Sequence, residues 1–198
     1  MSQRFLPASS PAATRMLRMD HAHVLADFHK LRADTPPAAR AAICRRICTA
    51  LELHTQLEEE LFYPALRELT TDLPALDHSQ TEHADMRLRI ERVRQLDEHA
   101  EEQIAALDAL ITQVLQHVHL EETRLLPAAE ELLGTERLQE LGVRMTRRRV
   151  ELARPHAVDM AADAVRAAPL KSALYAAGTL LASGLVFQHF RRRRITRH

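Results

Sequence analysis

Apolar residues recur at spacings of three and four along most of this chain, the period of helices that bury one face. Four long stripes stand out. The first, over 16–31, runs through Leu17, His21, Val24, Phe28 and Leu31. The second, over 37–69, holds Cys44, Ile47, Leu51, His54, Glu58 and Leu61. The third begins near 74 with Leu76, Ser79, His83, Met86, Ile90 and Val93. The fourth reaches 133 through Leu107, Leu110, Val114, His117 and Glu121. "ADTPP" and "TTDLP" separate the first three, and a weak polar boundary over 97–102 precedes the fourth. Gly134 suits the left-handed position that ends a helix. The predicted organisation is a loose N-terminus over 1–15, a helical unit over 16–133, an accessory helical segment over 134–168, and a tail over 169–198.

The stripes pair into a repeat. HTQLEEELFYP from His54 and HVHLEETRLLP from His117 share a histidine, a glutamate four residues on, a second glutamate and a closing proline. Each is preceded by an acid–His pair, Asp20-His21 lying 33 residues before His54 and Glu82-His83 lying 34 before His117. The unit is a helical hairpin, and two hairpins make an up-down antiparallel four-helix bundle, an all-α fold. Pro64 and Pro127 each remove a backbone hydrogen bond, which predicts a kink just beyond each His/Glu pair.

Composition agrees. There is no Trp, glycine is scarce, and Ala, Leu, Glu and Arg dominate, a helix-forming mixture poor in strand residues. Lys plus Arg equals Asp plus Glu, so net charge predicts no nucleic-acid partner. The two cysteines, Cys44 and Cys48, lie one helical turn apart. Their Cβ separation of about 5–6 Å exceeds the about 3.8 Å of an unstrained disulfide, so both are expected as reduced, buried thiols of a cytosolic protein. The N-terminus lacks the apolar stretch of a secretory signal.

Candidate chemistry changes the picture more. Each of the four core stripes contains a histidine and two contain a glutamate. A lone core histidine is ordinarily a satisfied structural group, and one HxxxE is ordinarily a surface pair. Four stripes repeating the pattern would place six ionisable groups in one layer, at a cost of several kcal/mol per buried charge unless a cation compensates. Positions four apart differ by about 40° around a helix, so His54 projects with Glu58 and His117 with Glu121. Imidazole with carboxylate suits iron, manganese or zinc rather than calcium. The set suffices for two metal ions, with the carboxylates placed to bridge. By the same geometry Glu59 and Glu122 should face outward or the helix edge, His23 and His119 should face solvent, Asp20 and Glu82 should lie at the surface, and Tyr63 should pack the bundle end with Phe62.

"DHAHVLADF", "HTQLEEELFYPAL", "EHADMRLRI" and "HVHLEETRLLP", in this order and spacing, resemble the hemerythrin-like HHE cation-binding domain over about 16–133. The resemblance implies a bundle holding a non-haem di-iron centre. His21 and His54 would hold one iron, His83 and His117 the other, and Glu58 and Glu121 would bridge. It also implies a small ligand such as oxygen, nitric oxide or peroxide, or a role in iron sensing or redox chemistry. The oxygen carriers of the family have a further histidine four residues before that of the third helix. Here that position is Ser79, with His78 facing elsewhere, which speaks against simple oxygen carriage.

The tail is separate in character. The 19 residues of 172–190 carry no Asp, Glu, Lys or Arg and are followed by four arginines. The length approaches a membrane span, but the positive-inside rule would leave both flanks on one side. A membrane-surface helix with a basic anchor, or docking on a partner protein, is the expectation for 172–198 of a cytoplasmic chain.

Overall fold

The computed structural model of the chain describes residues 12–32, 34–96 and 101–167. Among these there is no strand. Helix α1 spans Ala12–Phe28, and α2 spans Pro37–Leu57. After a turn of π-helix at Glu58–Phe62, α3 follows at Tyr63–Arg67. Helices α4 (Pro74–Gln95) and α5 (Glu101–Leu120) form the second hairpin. A second π-turn at Glu121–Leu125 leads into α6, Leu126–Ala153. A short 3₁₀ turn at Arg154–His156 precedes α7, Ala157–Ala167. The architecture is the expected all-α antiparallel bundle, with α1 against α2 and α4 against α5. The tail beyond 167 lies outside the described residues. No helix among the described residues is long and apolar enough to cross a membrane.

The prolines act differently from the expected kinks. Pro64 and Pro127 have no N–H for the carbonyl four residues back. The helix instead widens one turn earlier. The Tyr63 N–H donates to the Glu58 carbonyl, and the Leu126 N–H to the Glu121 carbonyl, each a five-residue step. Each π-turn therefore begins at the glutamate itself, inside the polar layer and not beyond it.

The apolar interior divides in two. One cluster holds Leu17, Leu57, Phe62, Leu66, Leu76, Leu125, Leu126 and Leu141, with others. The second holds Val24, Phe28, Ile47, Leu51, Met86, Ile90, Leu110 and Val114, with others. Three core histidines fall between them in sequence, His21 between Leu17 and Val24, His54 between Leu51 and Leu57, and His83 between Leu76 and Met86, while His117 adjoins Val118 of the second cluster ahead of Leu125 of the first. The polar layer is thus capped above and below by packed hydrocarbon. Cys44 and Cys48 sit buried in the second cluster and are not joined in a disulfide.

Gly134, at φ 69°, ψ 170°, ends the regular helix of the fourth stripe as expected, and a second helical stretch of α6 continues beyond this kink. Beyond that break Leu138, Leu141 and Met145 join the first core cluster, and α6 lies along α1. The approach is close at Gly142, where an added Cβ would fall 2.5 Å from Ala12 Cβ and 2.8 Å from the Ala13 nitrogen. Helix α7 packs on α2 through the Arg45–Asp163 ion pair at 2.8 Å.

Gly142→Ala should therefore force α6 away from α1 and lower stability by about 1–3 kcal/mol. Denaturant unfolding reads the effect, and unchanged stability would show that the two helices are not held in this contact.

Candidate metal centre

The bundle brings all six sequence-predicted groups into one buried layer. His21, His54, Glu58, His83, His117 and Glu121 are each at most 4% exposed. His21 Nε2 lies 3.3 Å from His54 Nε2, and His83 Nε2 lies 3.4 Å from His117 Nε2. The carboxylates cross between these pairs. Glu58 Oε2 is 3.2 Å from His54 Nε2 and 3.3 Å from His83 Nε2. Glu121 Oε2 is 3.3 Å from His21 Nε2 and 3.6 Å from His117 Nε2. Each glutamate thus touches one histidine of each pair.

Such a layer suits a cation. Ligand atoms about 2.1 Å from a metal, at right angles, lie about 3 Å from one another. The spacings above are of that size. Four ligand atoms from His21, His54, His117 and Glu121 lie within 4.8 Å of one another, as do three from Glu58, His83 and His117. Glu58 Oε1 is buried without a hydrogen-bond partner. Two neutral imidazoles cannot satisfy each other when both inner nitrogens present lone pairs.

Without a cation the layer titrates unevenly. Burial, reinforced by the charge of Glu121, pushes the Glu58 carboxyl well above the usual carboxylate range. Burial also raises Glu121, but the neighbouring His117 and His21 outweigh it and hold that carboxyl below the usual range. For His21, burial pulls downward, yet its contacts with Glu121 and Glu122 carry it up to about 10. Burial pulls His54 down to about 4.

Four acids lie at the outer nitrogens, and for two of them, Asp20 and Glu82, this corrects the expectation. Adjacent residues diverge by about 100° on a helix, so none of these acids serves its own neighbour. Each instead faces the histidine of the next helix in turn. Asp20 of α1 lies 3.6 Å from His54 Nδ1, and Glu59 lies 3.1 Å from His83 Nδ1. Glu82 of α4 lies 3.2 Å from His117 Nδ1, and Glu122 lies 3.1 Å from His21 Nδ1. This closes a ring around the bundle. Asp20 and Glu82 are not surface groups, and Glu59 and Glu122 do not point wholly outward. Carboxylates so placed fix a ligand imidazole's orientation and tautomer.

Three of these acids have supports of their own. Arg87 holds Glu59 at 2.7 Å, His78 lies 3.3 Å from Glu82, and Arg149 of α6 binds both oxygens of Asp20. His78 therefore addresses an outer acid rather than the centre. His23 and His119 are exposed, as expected. Tyr63 is not an end-packing residue. It is 1% exposed, and its hydroxyl points into the layer. Sequence offsets counted on an unbroken α-helix misplaced it, because the π-turn brings residue 63 back over residue 58.

The family profile of the hemerythrin HHE cation-binding domain matches residues 12–129, more than half of the chain. The chain belongs to the hemerythrin HHE family. A crystal structure of a hemerythrin HHE cation-binding domain-containing protein from Mycobacterium kansasii shares the fold with a TM-score of 0.63 and 20% identity, covering 78% of this chain and 98% of that one. Curated proteins give no match. The HHE match stops before Arg149, so the support of Asp20 comes from outside the matched segment.

Arg149→Ala should weaken metal retention by about 10- to 100-fold, the usual cost of losing an outer partner. Arg148→Ala, which removes only the exposed pairs with Glu60 and Glu151, should leave retention unchanged. Equal effects in competitive chelator titrations would remove any special role for Arg149. In the metal-free protein, the raised His21 contributes stability that is complete below pH 6.5 and is lost as pH rises through about 10. The depressed His54 contributes stability that is present above pH 6.5 and is lost as pH falls toward about 4. Unfolding midpoints measured across this range should fall on both sides, and His21→Gln should flatten the alkaline limb.

Proposed function

We propose that this HHE protein holds a non-haem di-iron centre and uses it to bind or sense oxygen, nitric oxide or iron. One ion would sit between His21 and His54, the second between His83 and His117, with Glu58 and Glu121 bridging. The observation that carries the assignment is the crossing of the two glutamates, each within 3.2 to 3.6 Å of one histidine from either pair. Manganese or zinc would fit the same donors. A pair of such ions supplies an electron-rich site for a small ligand.

The protein's own groups set what that site admits. Two histidines and two shared carboxylates leave positions open on each ion. The apolar clusters above and below exclude bulky and charged molecules, which favours a diatomic ligand or peroxide. Glu122, Glu59 and Glu82 hydrogen-bond Nδ1 of His21, His83 and His117, which favours Nε2 facing inward, and Asp20 lies 3.6 Å from Nδ1 of His54.

Metal analysis of the purified protein decides the first point, with two irons per chain expected. Absence of iron and manganese after growth in metal-replete medium would overturn the proposal. Glu58→Ala and Glu121→Ala should each abolish full loading, and full occupancy in either variant would mean that the bridging groups are misassigned. Optical spectra with oxygen, nitric oxide and peroxide then separate roles. A stable adduct supports binding or sensing, whereas turnover of peroxide would replace it with a di-iron redox enzyme.

A further inference from the structure

We propose that Tyr63 is a further metal ligand, its phenol oxygen completing the ion held by His83 and His117. The inference rests on the di-iron reading above and extends its ligand set. The Tyr63 hydroxyl lies 3.2 Å from His83 Nε2, 3.3 Å from Glu58 Oε2 and 3.1 Å from Glu121 Oε1. A phenol has one proton to donate, so it can donate to only one of these three groups. The same four atoms around a cation would all be satisfied. Their separations of 3.1 to 3.3 Å match the about 3 Å edges expected between ligand atoms about 2.1 Å from one metal.

Position and symmetry agree. The ring stacks on His83, with centroids 5.5 Å apart at 24°. Ser79, buried beside Tyr63, stands four residues before His83, where the sequence left that ion short of a protein donor. The duplicated phrase isolates Tyr63 further. In the second copy its counterpart is Leu126, and the counterpart of Ser79 in the first hairpin is Leu17, both fully buried in the apolar cluster. The chain thus places a phenol on one ion and hydrocarbon against the other. The π-turn aims it, since the Tyr63 N–H bonds the Glu58 carbonyl and returns the side chain over Glu58. On coordination the phenol O–H bond breaks, the proton leaves to solvent, the oxygen lone pair forms the metal bond, and no electron is transferred.

The test loads the full chain with iron(III) and records metal content, visible absorption and resonance Raman spectra. A phenolate-to-iron charge-transfer band with phenolate ring vibrations is expected. Tyr63→Phe should keep its iron and lose the band, and Tyr175→Phe, which changes the other tyrosine of the chain, should keep both. Ring-deuterated tyrosine should shift the vibrations in the unmutated protein, which removes dependence on the variant's folding. Iron bound without the band, or a band that survives in Tyr63→Phe, overturns the assignment while leaving the di-iron reading intact. Failure to retain any iron overturns both.

Discussion

Burying six ionisable side chains in one layer of a helical bundle is the constraint on which the rest of this structure depends. The groups are almost fully enclosed, and packed hydrocarbon lies on either side. Coulomb interactions in such a layer are strong, because burial removes the solvent screening that weakens them at a surface. The glutamates therefore cannot both remain ionised without a compensating charge, which is why Glu58 is driven toward its neutral form and Glu121 away from it. The family to which the chain belongs is defined by cation binding, and a cation is the compensation this geometry accepts best. The two apolar clusters supply most of the burial that drives folding, so the polar layer can be expensive without the bundle coming apart.

The second consequence is directional. A ligand imidazole must turn a particular nitrogen inward, and four isolated histidines have no reason to agree. The ring of outer acids provides the reason, helix to next helix around the bundle. Because each acid adjoins the ligand of the preceding helix, the same short sequence unit delivers both an inner donor and the brace for its neighbour. Arg149 then ties the accessory helix to the brace on His54. The close contact of Gly142 with α1 is what brings Arg149 within reach of Asp20. Docking of α6 and orientation of His54 are thus parts of one mechanical arrangement.

How much of this was legible in the sequence depends on which regularity was being read. The stripes through Leu17, Leu51, Met86 and Val114 follow the helical period, and they placed the histidines facing inward without ambiguity. The four-residue steps from His54 to Glu58, and from His117 to Glu121, run along α-helix up to the residue at which each π-turn starts, so the angular argument worked there. It failed for Tyr63 because the backbone changes pitch before that residue. A proline signals that the α pattern cannot continue, but not whether the chain kinks beyond the site or widens within it. The acids at 20 and 82 were misjudged for another reason. Their partners lie across the bundle, and a single helix contains no information about the nitrogen that the next helix presents.

The repeat itself is instructive where it breaks. Two copies of one hairpin would produce two equivalent halves, and the histidines and glutamates keep that equivalence. Tyr63 and Ser79 depart from it on one side, and Leu126 and Leu17 on the other. All four are buried, so the difference is not a drift of surface residues. In the proposed centre this makes the two ions unequal: one faces oxygen donors, the other hydrocarbon. An ion beside hydrocarbon keeps its open position for an incoming small molecule, while an ion with an additional anionic oxygen is stabilised in its higher charge state. In a centre of two ions, division of labour between a binding ion and a supporting ion would then follow from side-chain chemistry alone.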